Sequence, residues 1–342
     1  MELNDRKPLK YRGIMWLMAL LGFAVMAISI WGCAAGQRPP ESGKAPAAGQ
    51  EGKDDRLLVV TTIFPYYDFV RQIAGDRVKL KLVVPAGMDS HSFEPTPADM
   101  IAMQEADVLI CNGGEMEQWV KKVLGSLDTS HMKVLTMMDY VDVVEEEHVE
   151  GMEEEEHRHE DGFEMHIEYD EHIWTSPVNA QAIVKIISRT LSEADPREES
   201  RFENNTQAYL KELKDLDSWF RQVVNQGRLH MIVVADKFPF RYFADEYGLS
   251  YRAAFSGCSG DTEPSARTIA YLIDKVKEDR IPAVYYLELS SHRTAEIIQE
   301  ETGAVPLLLH SCHNVTRKQF DEGVTYLQLM RQNVENLRYG LE

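Results

Sequence analysis

The sequence predicts an α/β protein of two lobes, each a four-stranded parallel sheet flanked by helices, joined by one long helix. Three observations carry that expectation. Short apolar runs bounded by Pro, Gly and Asn alternate with segments of helical spacing, the pattern of βαβ units and parallel sheets. The scheme runs twice along the chain. A single long amphipathic segment separates the two passes.

In the first pass, residues 57–64 (LLVVTTIF) form a continuous apolar run that ends at Pro65, a buried parallel strand. Residues 67–74 have helical spacing and close at Gly75-Asp76. Strands follow at 78–84, 107–111 (stopped by Asn112-Gly113-Gly114) and 134–138, and a helix at 179–194. After Pro196, apolar residues from Phe202 to Val223 recur three or four apart with charges between. Some 30 helical residues would span roughly 45 Å, enough to cross between lobes. The second pass predicts strands at 231–235, 250–255, 283–287 and 305–309 and helices at 240–247, 266–278, 294–301 and 316–337. The expected division is a first lobe at 56–194, a linking helix at 195–228 and a second lobe at 229–342. The cleft between the strand ends is the expected ligand site.

Before the lobes lies an export segment. Arg6, Lys7, Lys10 and Arg12 precede an apolar run over 14–32, then Cys33 and the small residues Ala34, Ala35 and Gly36. Ile30-Trp31-Gly32-Cys33 resembles a lipobox, which implies that residues 1–33 are a signal segment and that Cys33 is lipidated; an uncleaved membrane anchor is the alternative. Residues 34–55 read as a flexible tether. The expected location is outside the cytoplasm, at a membrane. With 56 acidic against 36 basic residues and a net charge of −20, the chain is unsuited to nucleic acid and suited to attracting cations.

Residues 145–171 and the adjoining His172 concentrate that charge. Fourteen of these 28 residues are Asp or Glu, and five are His. Such a stretch buries too little apolar surface to offset its ordering entropy and is expected to be mostly a mobile loop. Its carboxylates and imidazoles are ligands for divalent cations, so His148, His157, His159 and His166 are expected to collect metal.

His91 lies in a loop stiffened by Pro95 and Pro97, within Asp89-Ser90-His91-Ser92-Phe93-Glu94-Pro95-Thr96-Pro97. His172 closes the acidic stretch in Asp170-Glu171-His172-Ile173-Trp174-Thr175-Ser176-Pro177. His91 to Pro97 matches H-x-[FY]-E-P-x-P and Asp170 to Pro177 matches D-x-H-x-W-x-x-P. These stretches resemble the metal-binding lipoproteins of zinc and manganese ABC importers (cluster A-I), whose zinc members carry an acidic His-rich loop between the motifs. The resemblance covers residue 57 to the C-terminus. It implies the bilobed fold with one linking helix, and His91 and His172 as metal ligands. Lys237 stands where that family places a third histidine, and a protonated lysine is no metal ligand. The family's fourth ligand, a carboxylate after the last strand, falls at His310. The expected set is therefore His91, His172 and His310, completed by His313, Cys312 or Asp236.

Cys111 reads as a core residue. Cys258 and Cys312 follow second-lobe strands, and a disulfide between them and metal ligation both stand open. Glu263 is expected to cap a helix or support the site, and Glu288 to accept from an imidazole N–H. His131, His230 and His292 read as surface residues. The resemblance implies a monomer that captures Zn²⁺ or Mn²⁺ outside the cytoplasm and passes it to a permease driven by an ATPase. Imidazoles lean to zinc and carboxylates to manganese. No HExxH helix or nucleophile elbow is present, so an enzyme is not expected. The alternatives are a secreted zinc-dependent enzyme, with Glu263 or Glu288 as base, and a metal-dependent surface adhesin.

Overall fold

The computed structural model describes residues 54–153, 168–259 and 263–342. The export segment with Cys33, the tether up to residue 53, and His157, His159 and His166 lie outside the described residues.

The first sheet contains β1 (Leu58–Thr61), β2 (Lys79–Leu82), β3 (Val108–Cys111) and β4 (Lys133–Thr136), in the order β2-β1-β3-β4. The second contains β5 (Met231–Phe238), β6 (Ser250–Ser256), β7 (Ala283–Tyr286) and β8 (Val305–Leu308), in the order β6-β5-β7-β8. Every pairing within the two sheets is parallel. Central strands read as unbroken apolar runs because both faces are covered. Val59 joins a cluster with Phe69 of α1 (Phe64–Ala74), whereas its neighbour Val60 joins Met103 of α2 (Pro97–Gln104) and Val120 of α3 (Gln118–Leu124). β5 repeats this, with Val234 on one face and Val233 on the other.

α4 (Pro177–Ala194) leads into α5 (Glu199–Gln226), the linking helix of 28 residues. Phe202, Leu213, Leu216 and Phe220 are fully buried along one stripe of α5. Burying each contributes about 2–3 kcal/mol before ordering costs. α5 packs on α1 and α4 of the first lobe, and on α6 (Arg241–Tyr247) and α10 (Tyr326–Leu341) of the second. One apolar cluster consequently runs through both lobes, from Val59 to Leu341. The second sheet is flanked by α7 (Ala266–Asp279) and α8 (Arg293–Thr302) as well. The predicted closing helix is in fact two: α9 (Arg317–Asp321) and α10, with Gly323 at φ +73 between them.

A buried carboxylate ties the lobes together behind the cleft. Asp68 on α1 has no exposed side-chain surface. It pairs with Arg71 at 2.6 Å and accepts from the backbone N–H of Tyr326 at 2.7 Å. Replacing it leaves the Tyr326 N–H unpaired and Arg71 with only the Val324 carbonyl. Asp68→Ala is expected to cost about 3 kcal/mol, the low end for breaking a buried pair because Arg71 is partly exposed. The check is the denaturant midpoint, with the slope unchanged.

Candidate metal centre

The centre lies at the carboxyl ends of the strands, in a cavity of about 420 Å³ lined by both lobes. His91 sits in a 3-10 turn, Ser90–Ser92, between β2 and α2. Asp89 caps that turn by accepting from the His91 N–H at 3.0 Å. Thr96 and Asp99 close the loop with reciprocal capping bonds at the start of α2. His172 precedes a second 3-10 turn, Ile173–Thr175. Ser176 then caps α4 and Pro177 takes its first turn, so the motif's final proline starts a helix. Buried Trp174 packs against the His172 ring at 5.4 Å and donates to the Ser311 carbonyl of the other lobe at 2.8 Å.

His313 follows β8 and supplies the third imidazole. Ring centroids lie 6.2 Å apart for His91 and His172, and 5.7 Å from each of these to His313. One nitrogen from each ring falls within 4.8 Å of the others. A tetrahedral zinc ion with bonds of about 2 Å needs nitrogens about 3.4 Å apart, within reach of small ring rotations. The loop that carries His313 is heavily braced. Glu288 accepts from the Ser311 N–H at 2.8 Å and from its hydroxyl, and that hydroxyl accepts from the His313 N–H at 3.2 Å. Asn314 donates to the carbonyls of Pro85 and Met88 in the first lobe. Cys312 adopts φ +60 to complete the turn.

Several expected site residues fall elsewhere. His310 is buried outside the cluster: its Nδ1 accepts from the Cys312 N–H at 3.0 Å and lies 3.4 Å from Glu288. Glu288 therefore braces Ser311, not an imidazole of the cluster. Asp236 lines the cavity, but its Oδ1 accepts from the Lys237 N–H at 2.8 Å. Glu263 is exposed on the cavity wall, and Ser265 caps α7 instead. Cys312 is buried, and loss of solvent raises its thiol well above the ordinary range, which disfavours the thiolate a metal needs. Cys111, Cys258 and Cys312 are all free. The disulfide is corrected by strand order, since β6 and β8 occupy opposite edges of their sheet. Three strand spacings of about 4.8 Å put the following residues about 14 Å apart, beyond the ~7 Å limit of a bridge. His292, read as a surface residue, is exposed but lines the cavity, its ring tilted against Tyr286 with centroids 4.0 Å apart.

The acidic stretch is anchored at both ends rather than loose throughout. Glu145 pairs with Tyr169 as an antiparallel bridge, flanked by backbone bonds from Glu146 to Glu168 and from Asp170 to Val144. Met152 is buried, and the Glu153 N–H donates to Ala254 of the second lobe at 3.0 Å. Glu146 accepts from the Gly257 N–H at 2.7 Å. His148 is exposed on this anchored stem.

Sequence reasoning gave Asp170 no role, although it stands two residues before His172. Its Oδ1 accepts from the His172 N–H at 2.8 Å and lies 3.2 Å from Nδ1. This contact fixes the ring and leaves Nε2 free. Behind it, the Glu171 carboxylate fills the space above Gly114 (φ +80), where a Cβ would sit 2.3 Å from the carboxyl carbon. Buried Glu117 accepts from the N–H groups of Asn112 and Gly113, and burial raises it to about 7.

The three imidazoles differ electrically. Burial lowers His91 to about 4, helped by the neighbouring His172 and Lys237 and opposed by Asp89. Burial, His172, His91 and Lys237 together lower His313 well below the ordinary histidine value. Burial also works against a charged His172, but Asp170, Glu146 and Glu171 outweigh it and the value rises.

A family model described as zinc-uptake complex component A, periplasmic (ZnuA), matches residues 59–340. The zinc-binding lipoprotein AdcA of Streptococcus pneumoniae is 34% identical over 292 residues, 85% of this chain, which spans 57% of that protein's length. The high-affinity zinc uptake system protein ZnuA of Bacillus subtilis is 32% identical over 293 residues, 85% of this chain and 89% of that protein. Among solved structures, the Zn(II)-bound ZnuA-like domain of S. pneumoniae AdcA superposes with a TM-score of 0.69 at 30% identity, over 84% of this chain and 99% of that one. The metal-dependent lipoprotein YcdH of B. subtilis gives 0.71 at 30% identity, over 84% and 100%.

In an NMR pH titration of the metal-free protein, His172 is expected to take its proton above the ordinary imidazole value. His91 should follow only near pH 4, and His313 well below the ordinary histidine value. Three superimposed ordinary titrations would contradict this electrostatic picture.

Proposed function

The chain belongs to the zinc-uptake component A family, and on that premise we propose that it captures Zn²⁺ in the interlobe cavity and delivers it to an ABC permease and its ATPase. The observation that carries this reading is the convergence of His91, His172 and His313 from two lobes. Imidazole nitrogens favour zinc over manganese. The ligands are His91 and His172 from the first lobe and His313 from the second, so a bound ion stitches the lobes and its release requires them to part. The zinc-dependent enzyme and the adhesin are not favoured, because the matched family is one of metal uptake. AdcA, named a lipoprotein, supports anchoring outside the cytoplasm through Cys33. His148, with His157, His159 and His166, gathers cations for the site.

Capture is proton-linked. Zinc needs Nε2 of His172 unprotonated, so below that group's raised value each ion displaces about one proton. Affinity falls as pH drops through this range. His91 and His313, both lowered, stay neutral and add no competition until the solution is far more acid.

Zinc titration of two variants tests the ligand set. His313→Ala should weaken binding by more than about 100-fold, beyond the loss of an outer partner. His310→Asn, whose amide oxygen can replace Nδ1 as acceptor, should change it by less than about tenfold. The reverse pattern would sink this assignment.

A further inference from the structure

We propose that the cleft takes its metal ion together with a small carboxylate: the ion on His91, His172 and His313, and the anion between that ion and Lys237, at the N-terminus of α8. The inference rests on the capture reading above. Its first ground is coordination. Zinc is four-coordinate, and among the described residues these three imidazoles are the one group placed to hold an ion, which leaves a position open.

The second ground is a set of donors without acceptors that line the same cavity. Lys237 lines the same cavity. It is placed there by a bulge in β5, where the register with β6 shifts between Val234 and Lys237. Among the described residues its ammonium has no ion-pair or hydrogen-bond partner. An unpaired ammonium beside a dication is repulsive unless an anion lies between them. Ser290 lines the same cavity, and its Oγ is buried without a partner. The next turn begins α8, ten residues long and without a side-chain cap. Ser291, His292 and Thr294 of that turn line the cavity, so unpaired backbone N–H groups and the positive end of the helix lie on its wall.

The third ground is room. A bare ion needs little more than the volume of a water molecule, about 30 Å³, far less than this cavity of about 420 Å³. Among the described residues, four carboxylates of the chain also line it. Glu288 has both oxygens on Ser311, Asp89 and Asp236 each spend one oxygen on a backbone N–H, and Glu263 is exposed, so the test includes variants of Asp236 and Glu263.

The test uses the full chain and acetate as the probe. Zinc affinity is measured by chelator competition in a perchlorate medium, with and without acetate. In the wild type, acetate should tighten binding by about tenfold or more, the scale of one charge-assisted hydrogen bond. In Lys237→Met the acetate effect should vanish, while acetate-free binding is no weaker than in the wild type. Lys237→Arg should retain the effect. With Co²⁺ in place of Zn²⁺, acetate should shift the visible spectrum of the wild type and not of Lys237→Met. Affinity and spectrum indifferent to acetate in the wild type would overturn the proposal. So would loss of zinc binding in Asp236→Asn or Glu263→Gln, because a carboxylate of the chain would then complete the site. A wild type that binds no zinc in either medium overturns the capture reading itself, an outcome separable from zinc binding without an acetate effect.

Discussion

The centre depends on one seam, the loop 310–314, which both lobes grip at once. Glu288 and Asn333 hold it from the second lobe, through Ser311 and through both backbone groups of His310. Trp174 and Asn314 hold it to the first, through the Ser311 carbonyl and the carbonyls of Pro85 and Met88. The turn at Cys312 then leaves His313 as the second lobe's one imidazole within reach of His91 and His172 among the described residues. A positive φ at a non-glycine residue costs of order 1 kcal/mol or more, and it persists because bonds on either side fix the chain. Loosen the seam and the two first-lobe imidazoles face an empty half-site.

Charge is arranged in the same spirit. Acids are gathered behind His172, not around all three rings. Asp170 and Glu146 stabilise a proton there, while burial, His172 and Lys237 favour the neutral forms of His91 and His313. Below the raised value of His172, such a site avoids three mutually repelling cations, yet surrenders about one proton to an incoming ion. Glu146 also reaches Gly257 across the lobes, so the stem of the acidic stretch shares its contacts with the metal centre.

Much of this was legible in the chain. The apolar runs at 58–61 and 108–111 announce doubly covered strands, and the stripe from Phe202 to Phe220 announces a helix buried along one side. The two His-bearing motifs announce their turns, because their prolines and capping residues have local jobs. What was not legible is long-range or conformational. Sheet order places Cys258 and Cys312 at opposite edges, and no local pattern encodes order. His310 and His313 are three residues apart, and the choice between them turns on Cys312 entering the left-handed region, which its residue type does not signal. The bridge between Glu145 and Tyr169 spans a run of like charge that composition alone assigns to a mobile loop.

The central claim is that three imidazoles from two lobes converge on one ion. X-ray absorption at the zinc edge, on protein loaded with one equivalent, tests it most directly. The account predicts three imidazole nitrogens at about 2.0–2.1 Å, with outer-ring scattering from three rings and one further light atom. A sulfur shell at about 2.3 Å, or scattering from only two rings, would contradict it.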